Sequence, residues 1–413
     1  MRKKVILYSL SLLLITITYF AYSNYKKLTI ISGHSSKYLC SCIFVSGRKA
    51  QDILSLDLAF SPISWAKHEI DYQNQKVTSS VFGMKTNTAI YRDGFGCTLL
   101  ADYNEESLRK QIFPERSIAV PADSIFDLKL LSEKEKILQK KLSIAIAPEF
   151  VETDSSLLKN TTAITIAYDG KLIAEQYREG FTNNTPLLGW SMTKSITSSM
   201  VGILVKEGKL ALYDPAPIPS WQNDVRGQIT LNHLLQMTSG LDWDENYSRV
   251  SSVVNMLYKK GDMYSYVIQP KLKHSPGTHW YYSSGTTNIL SGIIKDQFKD
   301  DDSYWQFPYK SLFDKIGMTS TWIEPDAAGM YVGSSYCFAT ARDWTRYGLL
   351  YYHQGVWNGD TILSPEWVEY TQSSSDEIPE GKYGAQWWLT IDKNKDGSLE
   401  SIPSDLYLSL IHI

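Results

Sequence analysis

Trp190-Ser191-Met192-Thr193-Lys194-Ser195 stands where an extended segment gives way to an apolar helix, and the reading of the whole chain turns on it. Beyond it Ile196, Met200, Ile203 and Leu204 recur at helical spacing until Gly208 stops the run. Positions i and i+3 share one face of a helix, so the Lys194 amine comes within reach of the Ser191 hydroxyl. A serine hydroxyl is a weak nucleophile without a base. Lysine serves as that base when burial or nearby positive charge lowers its pKa from about 10.4 toward neutrality. The helix N-terminus adds support for negative charge on an attacked carbonyl oxygen.

Ser-x-x-Lys alone says little, because the pattern also begins at Ser23, Ser46, Ser64, Ser107 and Ser156. Context separates Ser191 from these. Upstream, Ala163 to Ala167 and Leu172 to Glu175 read as strands joined by Asp169-Gly170, a strong hairpin signal. Before them, a charged stretch from Ser132 to Lys141 opens an amphipathic helix. Downstream, about 210 to 350 is mainly helical, with turns at Asp214-Pro215, Ser239-Gly240, Ser275-Pro276-Gly277 and Gly329. A strand signal returns from Tyr383 to Ile391. Strands, then helices, then strands suit an α+β protein in which a helical lobe is inserted between pieces of an antiparallel sheet. Within the lobe, Tyr281-Tyr282-Ser283-Ser284-Gly285 follows Pro276-Gly277. A tyrosine passes a proton between attacking hydroxyl and leaving group if a nearby cation favours its phenolate, and Ser284 is placed to bond the Lys194 amine or a substrate.

These residues carry a resemblance. Trp190 to Ser195, Leu234-Leu235-Gln236-Met237-Thr238-Ser239-Gly240-Leu241 and Tyr282-Ser283-Ser284-Gly285, in that order, resemble the serine β-lactamase-related family of class C β-lactamases, D-alanyl-D-alanine carboxypeptidases and esterases, with the nearest likeness to the 6-aminohexanoate-dimer hydrolase branch. The likeness covers roughly residues 140–408. It implies a β-lactamase/transpeptidase-like antiparallel sheet flanked by helices. It also implies an acyl-enzyme route with Ser191 attacking, Lys194 as base and Tyr282 as proton shuttle; Ser284 and Trp190 are the candidate substrate-binding residues. Many relatives have Tyr-x-Asn where this chain has Tyr282-Ser283-Ser284, which favours an amidase or esterase over a β-lactamase. The family's third motif, a His-x-Gly or Lys-Thr/Ser-Gly triplet on a late strand, has no counterpart in Ser409-Leu410-Ile411-His412-Ile413. The expectation is a sequence truncated or frameshifted near Ser409, with C-terminal strands missing and activity impaired.

Composition frames the rest. The 413 residues are 43% hydrophobic and 21% charged, with formal charge −3, and no Lys/Arg block interleaved with aromatics tracks a phosphate backbone. A small amide or ester is the expected partner and nucleic acid is not. No cofactor or metal is implied: Cys40-x-Cys42 with His34 lacks a full ligand set, and His233 and His274 lack ligand spacing. Asp392 to Gly397 imitates the start of a calcium loop, but Pro403 stands where the closing Glu belongs, so it reads as a solvated turn. Residues 1–27 read as a signal peptide, cut after Ala21-Tyr22-Ser23, or as a membrane anchor: Arg2, Lys3 and Lys4 precede an apolar run from Val5 to Tyr22. Either places the protein outside the cytoplasm, periplasmic or held to the membrane. Residues 28–130 read as a separate strand-rich segment and 131–413 as the hydrolase domain. Cys40 and Cys42 alternate on an expected strand from Tyr38 to Val45, and one of them is expected to bond Cys97, leaving Cys337 a buried thiol. The rival from another class is a catalytically silent cell-envelope binding protein using the same cleft.

Overall fold

The computed structural model describes residues 8, 16, 25, 27–116, 124–152, 158–375, 378, 383–389, 408 and 409. A helix over residues 27–44 (α1) leads into a four-stranded antiparallel sheet of β1 (Ala66–Asp71), β2 (Lys76–Val81), β3 (Lys85–Arg92) and β4 (Gly96–Leu99), paired in that order. The strand expected from Tyr38 to Val45 is thus corrected to the end of a helix. A short apolar run looks alike in either state when every side of it is buried. Here Ile31, Leu39, Cys40, Cys42 and Ile43 are buried together with Ser32, Ser35, Ser36 and Ser41. The serines remain tolerable because they bond back along the helix, as in Ser32 Oγ to the Leu28 carbonyl (3.0 Å) and Ser41 Oγ to that of Lys37 (3.1 Å). Gly33 lets α1 lie directly on a neighbouring helix, since a Cβ there would sit 2.9 Å from the Tyr258 carbonyl oxygen.

A disulfide joins Cys40 on α1 to Cys97 on β4, while Cys42 and Cys337 are buried free thiols. Beside the disulfide, Lys37 and Glu324 form a buried ion pair, and the Glu324 carboxylate also accepts from Ser41 Oγ (2.9 Å) and the Cys97 N–H (2.6 Å). Burial drives the Glu324 pKa up, opposed by the Lys37 ammonium. These contacts fasten α1 to the main body, and one hydrophobic core runs from Leu28 through the sheet to Trp387. Because the disulfide closes a separation of 57 residues, Cys40→Ser is expected to cost about 2–4 kcal/mol. Urea unfolding of oxidised and mutant protein measures it, and a difference under about 0.5 kcal/mol, the scale of an inert surface change, would contradict it.

The next helix, α2 (Glu133–Ile146), starts at a capping box formed by Ser132 and Glu135. The hairpin of β5 (Ala163–Tyr168) and β6 (Lys171–Tyr177) follows, turning at Asp169 and Gly170, whose φ values of 50° and 76° suit the tight turn. After β7 (Leu187–Leu188) comes the 15-residue α3 (Met192–Lys206), then the helical lobe, which includes α4 (Ser284–Lys295). The chain then adds β8 (Trp322–Ile323), β9 (Cys337–Ala339) and α5 (Ala341–Tyr352). Strand β9 lies between β7 and β8, antiparallel to both. Helix α5 covers the hairpin through Thr345 to Thr165 (2.8 Å) and an ion pair from Arg342 to Glu175. The architecture is therefore α+β, with antiparallel strands, flanking helices and an inserted helical lobe.

The late strand is only partly realised. Among the described residues Tyr383 bridges Trp388, and Trp388 bridges Leu408, instead of one continuous strand from Tyr383. Gln386 interrupts it with φ of 67°, which turns its side chain to the Leu235 carbonyl (2.7 Å) and the Thr287 hydroxyl (2.7 Å). The Asp392 to Gly397 turn lies outside the described residues. No helix among the described residues is long and apolar enough to cross a membrane; of the Val5 to Tyr22 run only Tyr8 and Thr16 are described.

Candidate active site

Ser191 occupies the N-cap of α3, and the backbone reaches it through two unusual residues. Gly189 has no room for a side chain, as a Cβ would meet the Trp344 ring at 2.4 Å. Trp190 has φ of 44°, a left-handed conformation that a bulky residue adopts only when its surroundings hold it there. Those surroundings come from α1: the Trp190 ring stacks on His34 and Tyr38 at 6.4 and 6.3 Å. His34 in turn bonds the Tyr258 hydroxyl (2.9 Å), and burial lowers its pKa to about 4, so it is neutral. Tight turns then start the helix, with Met192 N–H on the Gly189 carbonyl (2.9 Å) and Lys194 N–H on that of Ser191 (3.1 Å).

Lys194 projects one turn along, 1% exposed. Its Nζ lies 3.1 Å from Ser191 Oγ, 3.0 Å from Ser284 Oγ and 2.9 Å from the Ser334 carbonyl oxygen. Burial lowers its pKa to about 8, with the Glu245 carboxylate acting in the opposite sense. Ser284 is fixed at the start of α4, whose cap is the Ser283 hydroxyl accepting from Thr286 N–H (3.0 Å). Gly285 behind it has its Cβ position closed by Trp243 at 2.7 Å.

The Tyr282 ring lies over the Lys194 side chain, 4.9 Å from Nζ to centroid, and stacks on Trp388 at 5.4 Å. Its buried hydroxyl has no hydrogen-bond partner among the described residues, although Ser191 is close enough to favour its phenolate slightly. Burial dominates and raises the phenol's pKa well above its ordinary value. Tyr282 is therefore held neutral, contrary to the expectation of a cation-favoured phenolate. The segment carrying it is docked by the loop after Leu235: Tyr281 N–H bonds the Met237 carbonyl (2.9 Å), and Gly240 packs where a Cβ would fall 2.2 Å from the His274 carbonyl oxygen.

The structure thus brings Ser191, Lys194, Tyr282 and Ser284 together, while the Trp190 ring faces α1 instead of joining them. It also adds Glu245 and Tyr247, which the sequence pattern did not single out. The Glu245 carboxylate accepts from Ser284 Oγ (2.5 Å), Ser284 N–H (2.9 Å), Trp243 Nε1 (2.6 Å) and the Tyr247 hydroxyl (2.8 Å). Ser409 touches the same helix start, with Oγ 2.7 Å from Ser195 Oγ and 3.4 Å from the Met192 carbonyl oxygen.

Known proteins resemble this chain in sequence and in fold. Residues 157–401, more than half of the chain, match the beta-lactamase family. The 6-aminohexanoate-dimer hydrolase of Paenarthrobacter ureafaciens is 26% identical over 315 residues, spanning 70% of this chain and 75% of that protein. Protein flp of Staphylococcus aureus (strain MRSA252) is 30% identical over 136 residues, 32% of this chain and 26% of its own length. Among solved structures, a Bacillus anthracis protein regarded as a 6-aminohexanoate-dimer hydrolase superposes with a TM-score of 0.50 at 22% identity, over 70% of this chain and 75% of that one, a likeness of fold. With its helix-capping serine, its lysine one turn on and its match over residues 157–401, the chain belongs to the beta-lactamase family.

Proposed function

We propose that this protein hydrolyses small amides or esters through an acyl-enzyme on Ser191, with Lys194 as base and Tyr282 as proton shuttle. One observation carries the reading: the buried Lys194 amine lies 3.1 Å from Ser191 Oγ, with Ser284 Oγ and the Ser334 carbonyl oxygen as its other two partners. The Ser334 carbonyl can only accept, and Ser284 directs its own hydrogen to Glu245, so it too accepts from the amine. A neutral Lys194 then has both N–H bonds engaged and its lone pair left for the Ser191 proton. As Ser191 attacks a carbonyl carbon, its proton passes to Lys194. The neutral Tyr282 phenol donates to the leaving nitrogen or oxygen and is reprotonated from Lys194. Water then repeats the sequence on the acyl-enzyme, returning Ser191. The relative's name makes the dimer of 6-aminohexanoate one amide worth including in a substrate panel. Outside the cytoplasm, with its N-terminal run in the membrane, the protein would meet such substrates at the cell envelope.

The pH profile tests the role of the amine. The neutral form is the active one, so with a pKa near about 8 the acylation rate is expected to fall about tenfold per pH unit below that value. In Glu245→Gln the carboxylate that raises the Lys194 pKa is gone, and the limb is expected to move to lower pH. Rates measured with an acyl ester from pH 5 to 10 would contradict the assignment if they were flat across about 6–9, or if the variant's limb moved upward.

A further inference from the structure

The tip of the β2–β3 hairpin is built in a way that folding does not explain. Phe82, Gly83 and Met84 link strands whose last pair is Val81 with Lys85. Phe82 has φ of 53°, a left-handed position where glycine, asparagine or aspartate fits with least strain. Its side chain is 64% exposed and that of Met84 52%, so neither repays the strain by joining the core. Trp65, 49% exposed, lies against Phe82 with ring centroids 5.9 Å apart. Together they make a contiguous apolar prominence, unlike the scattered apolar residues normal on a surface.

The place of this tip in the molecule says what covers it. The ring of Tyr25, 40% exposed, sits beneath Lys85, whose Nζ is 4.4 Å from the ring centroid. The apolar run from Val5 to Tyr22 ends three residues before Tyr25, and three residues span at most about 11 Å in any conformation. The tip therefore lies beside Tyr25, the described residue that next follows that run in sequence. Exposed Lys67 lies one pair from the tip on β1, opposite Ser80, and exposed Lys27 comes two residues after Tyr25. Aromatic and thioether side chains ringed by lysines suit the boundary between acyl chains and anionic headgroups.

We propose that Phe82, Met84 and Trp65 form a docking surface that inserts into a lipid bilayer beside the N-terminal run, holding the catalytic body flat on the membrane. The inference rests on that run being retained as an anchor. The hairpin of the N-terminal sheet then serves as a second point of attachment, and two points fix an orientation where one tether permits free rotation.

The full chain tests this with a nitroxide on Met84→Cys. The other cysteines do not compete for the label: Cys40 and Cys97 are bonded to each other, while Cys42 and Cys337 are buried, with the Cys42 pKa pushed up to about 12. In vesicles of phosphatidylcholine with a minority of phosphatidylglycerol, the ratio of oxygen to water-soluble nickel accessibility is expected to be several-fold higher at position 84 than at a label on exposed Val225. Phe82→Asn in the Met84→Cys chain is expected to bring that ratio down toward the Val225 value without lowering the melting temperature. Position 84 reading like Val225, label–label broadening that reveals a second copy on the tip, or failure of the chain to associate with the vesicles would each overturn the proposal.

Discussion

Lys194→Arg is expected to lose about 10²–10⁴-fold in acylation rate, the usual worth of a general base, although the charge at the position is kept. Arginine cannot give up its proton at working pH, and its planar fork does not match three partners arranged for an amine. The partners are Ser191 Oγ, Ser284 Oγ and the Ser334 carbonyl, all within 3.1 Å of Nζ. Single-turnover acylation of an activated ester separates this step from deacylation. A variant that kept more than about a tenth of the rate would remove Lys194 from the role of base. The fold itself is expected to survive, since the other features holding the start of α3, the Trp190 stack on His34 and Tyr38 and the turn on Gly189, do not involve the amine.

How far the sequence revealed this site depended on how local each contact is. Ser191 and Lys194 lie three residues apart on one helix, so helical periodicity alone brings them together. Asp169-Gly170 announces its hairpin equally directly. Tyr282 and Ser284 are some 90 residues from Lys194, and only their resemblance to a family motif tied them to it. Glu245 was silent because it acts through Ser284 from a loop of the lobe, and nothing in its neighbourhood marks a carboxylate that accepts four hydrogen bonds. The Ser334 carbonyl is a backbone atom, and no side-chain pattern encodes it. Helix α1 departs from the strand its sequence suggests for a different reason: buried on every side, its serines and apolar residues show no amphipathic stripe. The contact of His34 and Tyr38 with Trp190, and so the dependence of the nucleophile's turn on the N-terminal segment, follows only from the helix. Trp190, expected beside the substrate, has its ring directed to this support.

The identity of the nucleophile is open to the most direct measurement. Six serines begin a Ser-x-x-Lys pattern, yet Ser191 alone is expected to react, because its hydroxyl has beside it a buried lysine of lowered pKa with a tyrosine ring over the amine. The measurement is labelling of the purified chain by a fluorophosphonate, followed by peptide mapping, in native protein and in Ser191→Ala. The expected result is one modified peptide carrying Ser191, faster labelling above about pH 8 than below it, and no labelling of Ser191→Ala. Equal labelling of that variant, or a modified peptide around any of the other five serines, would contradict it.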